Sequence, residues 1–262
     1  MMKFTRILLL PFLFIGFSVF AATPENNVQL GIYTSIITYT EPSVMEEEGS
    51  LFGFIGRFSS HKNGDFLSLE ASYASGYMDY EGSGTIEDIP DEMLEIRGLI
   101  GRDLKISSNY RMTPYIGLGY RNLNDDSSGM VSSTLRYGYE REQIYLYVPF
   151  GLEFKRASLA GGGWTLSGRI EFDYLLEGKN KSYTSVGGSD HNDLSFTQSE
   201  GYGNRISIGF TRTFGTGRAI IIEPFYKHWD IARSTVDYDG DTPMVEPYNY
   251  SREMGIALLL TI

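Results

Sequence analysis

The sequence contains no cysteine among its 262 residues, so no disulfide can staple the fold. After the first twenty or so residues, no apolar run approaches the roughly 20 that a membrane-crossing helix needs. Basic residues are also in short supply. Lys and Arg number 22 against 33 Asp and Glu, a formal charge of −11, which argues against a nucleic-acid partner. Only three His residues are present, so each can be weighed singly. Glycine and tyrosine, by contrast, are plentiful at 30 and 19.

The opening "MMKFTRILLLPFLFIGFSVFAA" has Lys3 and Arg6, then an apolar run from Ile7 to Phe20, then small residues. This is the order of a secretory signal peptide, with cleavage expected after Ala21 and residues 1–21 removed. The run is too short for a retained membrane helix. No Cys stands at the cleavage point, which excludes a lipid anchor there. The mature chain would keep 20 basic and 33 acidic residues, a net charge of −13.

What remains is strongly periodic. In "QIYLYVPFGLEFKR" the apolar residues Ile144, Leu146, Val148, Phe150, Leu152 and Phe154 fall on every second position. About ten segments repeat this alternation: 28–40, 49–60, 65–79, 92–104, 111–123, 142–156, 164–177, 202–214, 218–232 and 250–262. Each is near or above the roughly 9–11 residues of a tilted membrane strand. On one face stand residues such as Phe52, Phe54 and Phe58, or Met254, Ile256, Leu258 and Leu260. The other face mixes Gly, Ser and both signs of charge.

A soluble, lipocalin-like barrel would enclose the apolar face; three patterns favour enclosing the polar one. Glycine and small residues suit a narrow interior crowded with long charged side chains. Aromatics gather near both ends of the apolar face: Tyr77, Tyr120, Tyr174 and Tyr226 at one, Phe58, Phe154, Trp164 and Phe210 at the other. Connections alternate in length, with short turns near "HKNGD", "LKISSNYR", "ASLAGGG" and "FGTGR". Long loops are expected around "EPSVMEEEG", "EGSGTIEDIPDE", residues 124–143, 178–200 and 234–249. An all-β, antiparallel up-and-down transmembrane barrel of about ten strands follows, with its long loops outside the cell and both termini on the short-turn side. No internal repeat or low-complexity tail interrupts it, so residues 22–262 are expected to form one domain.

Segments such as "MTPYIGLGYRNL", "YLYVPFGLEF" and "EPFYKHWDIARS" resemble strands of small Gram-negative outer-membrane β-barrel proteins, the size class of the OmpA transmembrane domain and the opacity proteins. The resemblance covers the chain from about Val28 to its end. It implies residence in the outer membrane, contact with lipid and lipopolysaccharide, and insertion by the barrel-assembly machinery. Such barrels commonly end in an aromatic residue; here Ile262 stands in its place.

On this reading the inner face carries Arg57, Glu70, Glu95 and Arg97 from the early strands. Arg121, Glu153, Lys155, Arg169, Glu171 and Asp173 follow from the middle, and Glu223, Lys227 and Glu253 from the end. About ten strands enclose a space that side chains alone can nearly fill. Charges buried there should pair, because an unpaired one costs several kcal/mol. A salt-bridged interior is expected, with a narrow path for ions or small solutes as the alternative.

The three His residues set the case for an enzyme. His61 reads as a turn residue beside Asn63-Gly64, and His191 as a polar loop residue between Asp190 and Asp193. In "KHWDI" His228 stands near Asp230, and omptin-type proteases, similar in strand number, use an Asp/His pair with a second carboxylate pair. But the register that turns Glu223 and Lys227 inward turns His228 outward, and no Ser is placed beside it for a Ser-His-acid site. The omptin sequence signatures are absent. Asp237, Asp239 and Asp241 start like a calcium loop but lack its distal Glu.

No catalytic residue, cofactor or metal is therefore assigned. The expected function is a non-catalytic surface barrel whose acidic loops, including "MEEEG" and "IEDIPDE", keep the outer surface solvated, share divalent cations with lipopolysaccharide phosphates, or meet an extracellular ligand. A small channel is the alternative, and an omptin-like or lipid A-modifying hydrolase the second.

Overall fold

The computed structural model describes residues 25–159, 163–187, 191–214 and 218–262. The expected signal peptide, residues 1–21, lies outside them, as do parts of the turns at "ASLAGGG" and "FGTGR". Ten long antiparallel strands close into one up-and-down barrel. They are β1 (Glu25–Glu41), β2 (Met45–Lys62), β3 (Asp65–Glu81), β4 (Thr85–Arg102), β6 (Tyr110–Asp126), β7 (Glu140–Leu159), β8 (Trp164–Ser182), β10 (Gly201–Thr213), β11 (Ala219–Ile231) and β14 (Asn249–Thr261). Short β5 (Leu104–Ser107) extends β4 along β6, and β9 (Leu194–Gln198) extends β10 along β8. The hairpin β12 (Val236–Asp239) and β13 (Thr242–Val245) is a separate sheet. Pairing of β1 with β14 and of β8 with β10 completes the circle.

Alternation fixes which face is which. Phe54 and Met254, each 65% exposed, stand outward with Leu69, Ile96, Leu118 and Leu258. Alternate neighbours on the same strands, such as Glu70, Glu95, Arg97 and Glu253, are buried in the lumen. Only a hydrocarbon solvent makes that outer surface favourable, since soluble monomers rarely expose so continuous an apolar face. At the terminal end, Asn63 and Gly64 take φ of 55° and 88°, the left-handed pair of a two-residue hairpin turn.

Two expectations need correction. The stretches "EPSVMEEEG" and "EGSGTIEDIPDE" are not long loops. They are continuations of β1–β4, closed by tight turns at residues 42–44 and 82–84. Alternation simply persists beyond lipid with charge in place of hydrocarbon on the outer face: Glu46 and Glu48 point outward and bond Thr40 and Thr38 across the strand pair. Hence β1–β4 and β6–β8 are strands of 17–20 residues, while β10, β11 and β14 have 13 each.

The interior is also less uniformly polar than alternation alone implied. Leu51, Met78, Met93, Leu259 and Tyr33 form a buried inner cluster, and Tyr145, Tyr147, Leu175, Trp229 and Ile231 form a second. Glycine makes room for them. A Cβ on Gly119 would collide with the ring of Tyr147.

Candidate functional site

Three layers fill the lumen between the strands. At the terminal end, His61 is part of strand β2 and not of the turn beside it. Its Nδ1 lies 2.8 Å from Asp103 Oδ2 and its Nε2 lies 3.3 Å from Arg111 Nη2. With Nδ1–H donating to Asp103, Nε2 is left to accept from Arg111. Thr113 Oγ1 donates to the other Asp103 oxygen at 2.7 Å. Burial pushes the Asp103 carboxyl up, but the bonds from His61 and Thr113 outweigh it and hold the group below its ordinary range. A cavity of about 250 Å³ adjoins this cluster, with Glu153 and Lys155 on its wall.

Above it runs a chain of ion pairs. Arg57 grips Glu223 with two bonds, 2.8 and 2.7 Å. Glu70 accepts from Arg97 at 2.7 and 3.0 Å and from Arg169 at 2.8 Å, and Arg169 also reaches Glu153 at 3.1 Å. Arg97 bonds Glu171, which further accepts from Tyr115 at 2.6 Å and lies 3.1 Å from Arg205 Nε. Glu95 accepts from Arg205 at 3.1 Å, from Tyr147 at 2.7 Å and from Lys227 at 3.3 Å. Lys227 is 3.1 Å from Glu253. The chain crosses from β3 and β4 to β8 and β10, on the opposite wall. Arg121 is buried over the Tyr145 ring, 5.3 Å from its centroid, and Asp173 is buried with one oxygen lacking a hydrogen-bond partner. A cavity of about 40 Å³ lies among these residues.

The third layer lies above the apolar belt, where Glu48, Glu92, Asn122 and Glu142 replace hydrocarbon on the outer face. Here Arg141 serves a group of acids. Its Nη2 is 2.7 and 2.6 Å from the two oxygens of Glu47, its Nη1 3.4 Å from Glu41 and its Nε 3.9 Å from Asp125. Glu246 accepts from Tyr39 at 3.0 Å and Asn180 at 2.7 Å. Asp91, the cross-strand neighbour of Asp125, is 1% exposed, and neither of its oxygens has a hydrogen-bond partner. Burial, reinforced by Asp125 and Glu47, pushes the Asp91 carboxyl up to about 9. Burial likewise raises Glu47 to about 8, against the pull of Arg141, and Glu246 to about 7, with Glu41 adding to the rise. These acids hold on to protons near neutrality. Above them a cavity of about 570 Å³ opens among the loops.

Arg141 and Arg205 were not among the residues singled out from the sequence, nor were Glu41, Glu47, Asp91, Asp125 and Glu246. The signal was the same alternation: Arg205 opposes Ile206 and Ile208, and Arg141 shares a face with Tyr145 and Tyr147.

The other His residues are apart from the ion-pair chain. His228 faces outward and its Nδ1 donates to the Ser251 main-chain oxygen at 3.1 Å, while Asp230 accepts from Tyr248 at 2.7 Å. The His and Asp of "KHWDI" therefore do not pair. His191 pairs with Asp239, at 2.8 Å, while Asp193 caps the amide of Ser185 and Asp190 lies outside the described residues. Asp237 accepts from the Ser195 amide, so Asp237 and Asp239 tie the β12–β13 hairpin to the segment before β9 and to β9 itself. Among the described residues, no group of three or more His, Asp or Glu is arranged to hold a metal.

No family model and no curated protein matches the chain. Among solved structures, the outer membrane protease OmpT from Escherichia coli matches with a TM-score of 0.57 and 10% identity, covering 94% of this chain and 99% of its own. The fold is that of an outer-membrane β-barrel. The translocator domain of the autotransporter NalP from Neisseria meningitidis matches with a TM-score of 0.44 and 9% identity, over 88% of this chain and 87% of its own. The Ralstonia pickettii toluene transporter TbuX gives 0.38 and 8%, over 90% and 88%. At such identities the likeness to OmpT speaks for the barrel and not for any activity.

Proposed function

We propose that the chain is an exported, integral outer-membrane barrel without a catalytic role, whose ion-paired interior closes the barrel and holds up an acidic outer end. That end serves surface interaction or envelope integrity, in contact with lipopolysaccharide. The observation that carries this reading is the bridge of Arg97 between Glu70 and Glu171, continued by Arg205 to Glu95. Satisfied ion pairs spanning a lumen of this width leave little path for solute. In planar bilayers the purified protein should give no stable conductance steps, whereas Arg97→Ala combined with Arg205→Ala should give them. Steady conductance by the unaltered protein would overturn the closed-barrel reading in favour of a channel.

One observation favours a second reading, a hydrolase. His191 with its Asp239 partner stands at the same cavity as Glu47 and Asp125, which share Arg141. An Asp/His pair facing a carboxylate pair is what the omptin-type proteases use. A panel of peptide and lipid A substrates decides it: turnover abolished by His191→Ala supports the hydrolase, and absence of turnover removes it.

A further inference from the structure

The outer cavity is unusual in its charge and in its walls. It is lined by Glu41, Glu47, Asp125 and Glu246, with Arg141 the basic side chain that pairs with them. Asp125 lines the cavity and is 5% exposed, and its Oδ2 has no hydrogen-bond partner. Buried polar atoms are nearly always satisfied, so a bare carboxylate oxygen at a cavity wall calls for a donor from outside. The residues are not disposed as a metal site. Part of the wall is apolar: Met45, Ile89, Leu194 and Phe196 are buried there, and Leu135 and Tyr137 stand exposed at its rim, while Arg136, Ser127 and Ser182 are among the polar residues of the remainder. A hydrated divalent ion has no use for that hydrocarbon. An amine on a hydrocarbon body uses both parts.

We propose that this cavity binds an organic cation, an ammonium group carried on an apolar chain, with Asp125 taking the ammonium and Met45, Ile89, Leu194 and Phe196 taking the chain. The volume of about 570 Å³ is of the size that holds a small molecule. Leu135 has φ of 65°, a conformation that a branched side chain adopts only when its surroundings impose it. Ser133 and Thr134 impose it by bonding Thr85 and Ser83 at the tip of the β3–β4 hairpin, so the rim is built in place. This proposal rests on the surface-binding reading and gives it a ligand class.

The test is calorimetric titration of the full-length mature protein in nanodiscs with 1,8-diaminooctane, using 1,8-octanediol and magnesium chloride as controls. The diamine should bind saturably and the diol should not. Asp125→Asn should weaken binding roughly tenfold, as expected when a buried charge partner is lost. The variant is isosteric, and an unchanged melting midpoint shows that it folds. Equal binding of diol and diamine, unchanged binding by the folded variant, or displacement of the diamine by equimolar magnesium would each overturn the proposal. Conductance of the same preparation is read separately. A conducting barrel that still binds the diamine refutes only the closed lumen, and a silent barrel that binds nothing refutes only the ligand site.

Discussion

The ion-paired middle of the barrel and its acidic mouth are built by the same rule of alternation and end in opposite states. In the middle, basic and acidic side chains are matched, and most find partners across the lumen at hydrogen-bond distance. At the mouth, Arg141 faces Glu41, Glu47, Asp91, Asp125 and Glu246. The difference follows from the supply of cations. In the middle, Arg57, Arg97, Arg169, Arg205 and Lys227 answer the acids with fixed charge. At the mouth one guanidinium is shared among several acids, and those left without a cation keep their protons.

Substitutions can break this comparison, and the largest effect belongs to the middle. Arg97→Ala leaves Glu70 and Glu171 buried without their shared partner and should cost about 3–5 kcal/mol, read as a lowered urea midpoint for refolding into vesicles. A cost under about 1 kcal/mol would mean that water already reaches the middle layer and that the two regions do not differ. Next comes the belt itself. Leu118→Arg, at mid-belt on the outer face, should cost about 2–4 kcal/mol by the same assay, while Thr40→Arg above the belt should cost about 0–1. Arg141→Ala should be milder than Arg97→Ala, about 1–3 kcal/mol, because the acids around it can bind protons in place of the guanidinium.

The smallest effect is the pH dependence, and its sign is opposite to that of ordinary paired carboxylates. Glu47, Asp91 and Glu246, raised to about 8, 9 and 7, bind protons more tightly folded than unfolded, where a carboxyl titrates near about 4. Their contribution is fully present below about pH 4 and is lost as pH climbs through 7 to 9. The denaturation midpoint should therefore fall between pH 6 and pH 9.5, and Asp91→Asn should flatten that fall. A midpoint that rises over the same interval would show that the mouth acids are ionised and paired.

The sequence made the barrel legible because period-two alternation is a local property. Ile144 through Phe154 announce a strand and its lipid face without help from any other segment, and "HKNGD" announces a hairpin. The pairing of Arg57 with Glu223, or of Arg205 with Glu95, was not legible. Those partners lie 166 and 110 residues apart, and only the closed circle brings them within reach. The mouth was hidden for another reason. Its acids sit in stretches such as "MEEEG" whose charge reads as loop, although Glu47 faces in while Glu46 and Glu48 face out. His191 and Asp239 come from different connections, so no spacing rule joins them. Leu51, Met78, Met93 and Leu259 were obscured because the pattern tells inside from outside and not which inside positions are filled by hydrocarbon.

The unequal strand lengths give the rim of the barrel an uneven height. Seven neighbouring staves stand tall, β9 carries the line of β10 further along β8, and β11 and β14 are the short ones. The β12–β13 hairpin belongs to the connection between those two, and two aspartates fasten it to the β9 side. Its fastening there consists of hydrogen bonds that water can replace.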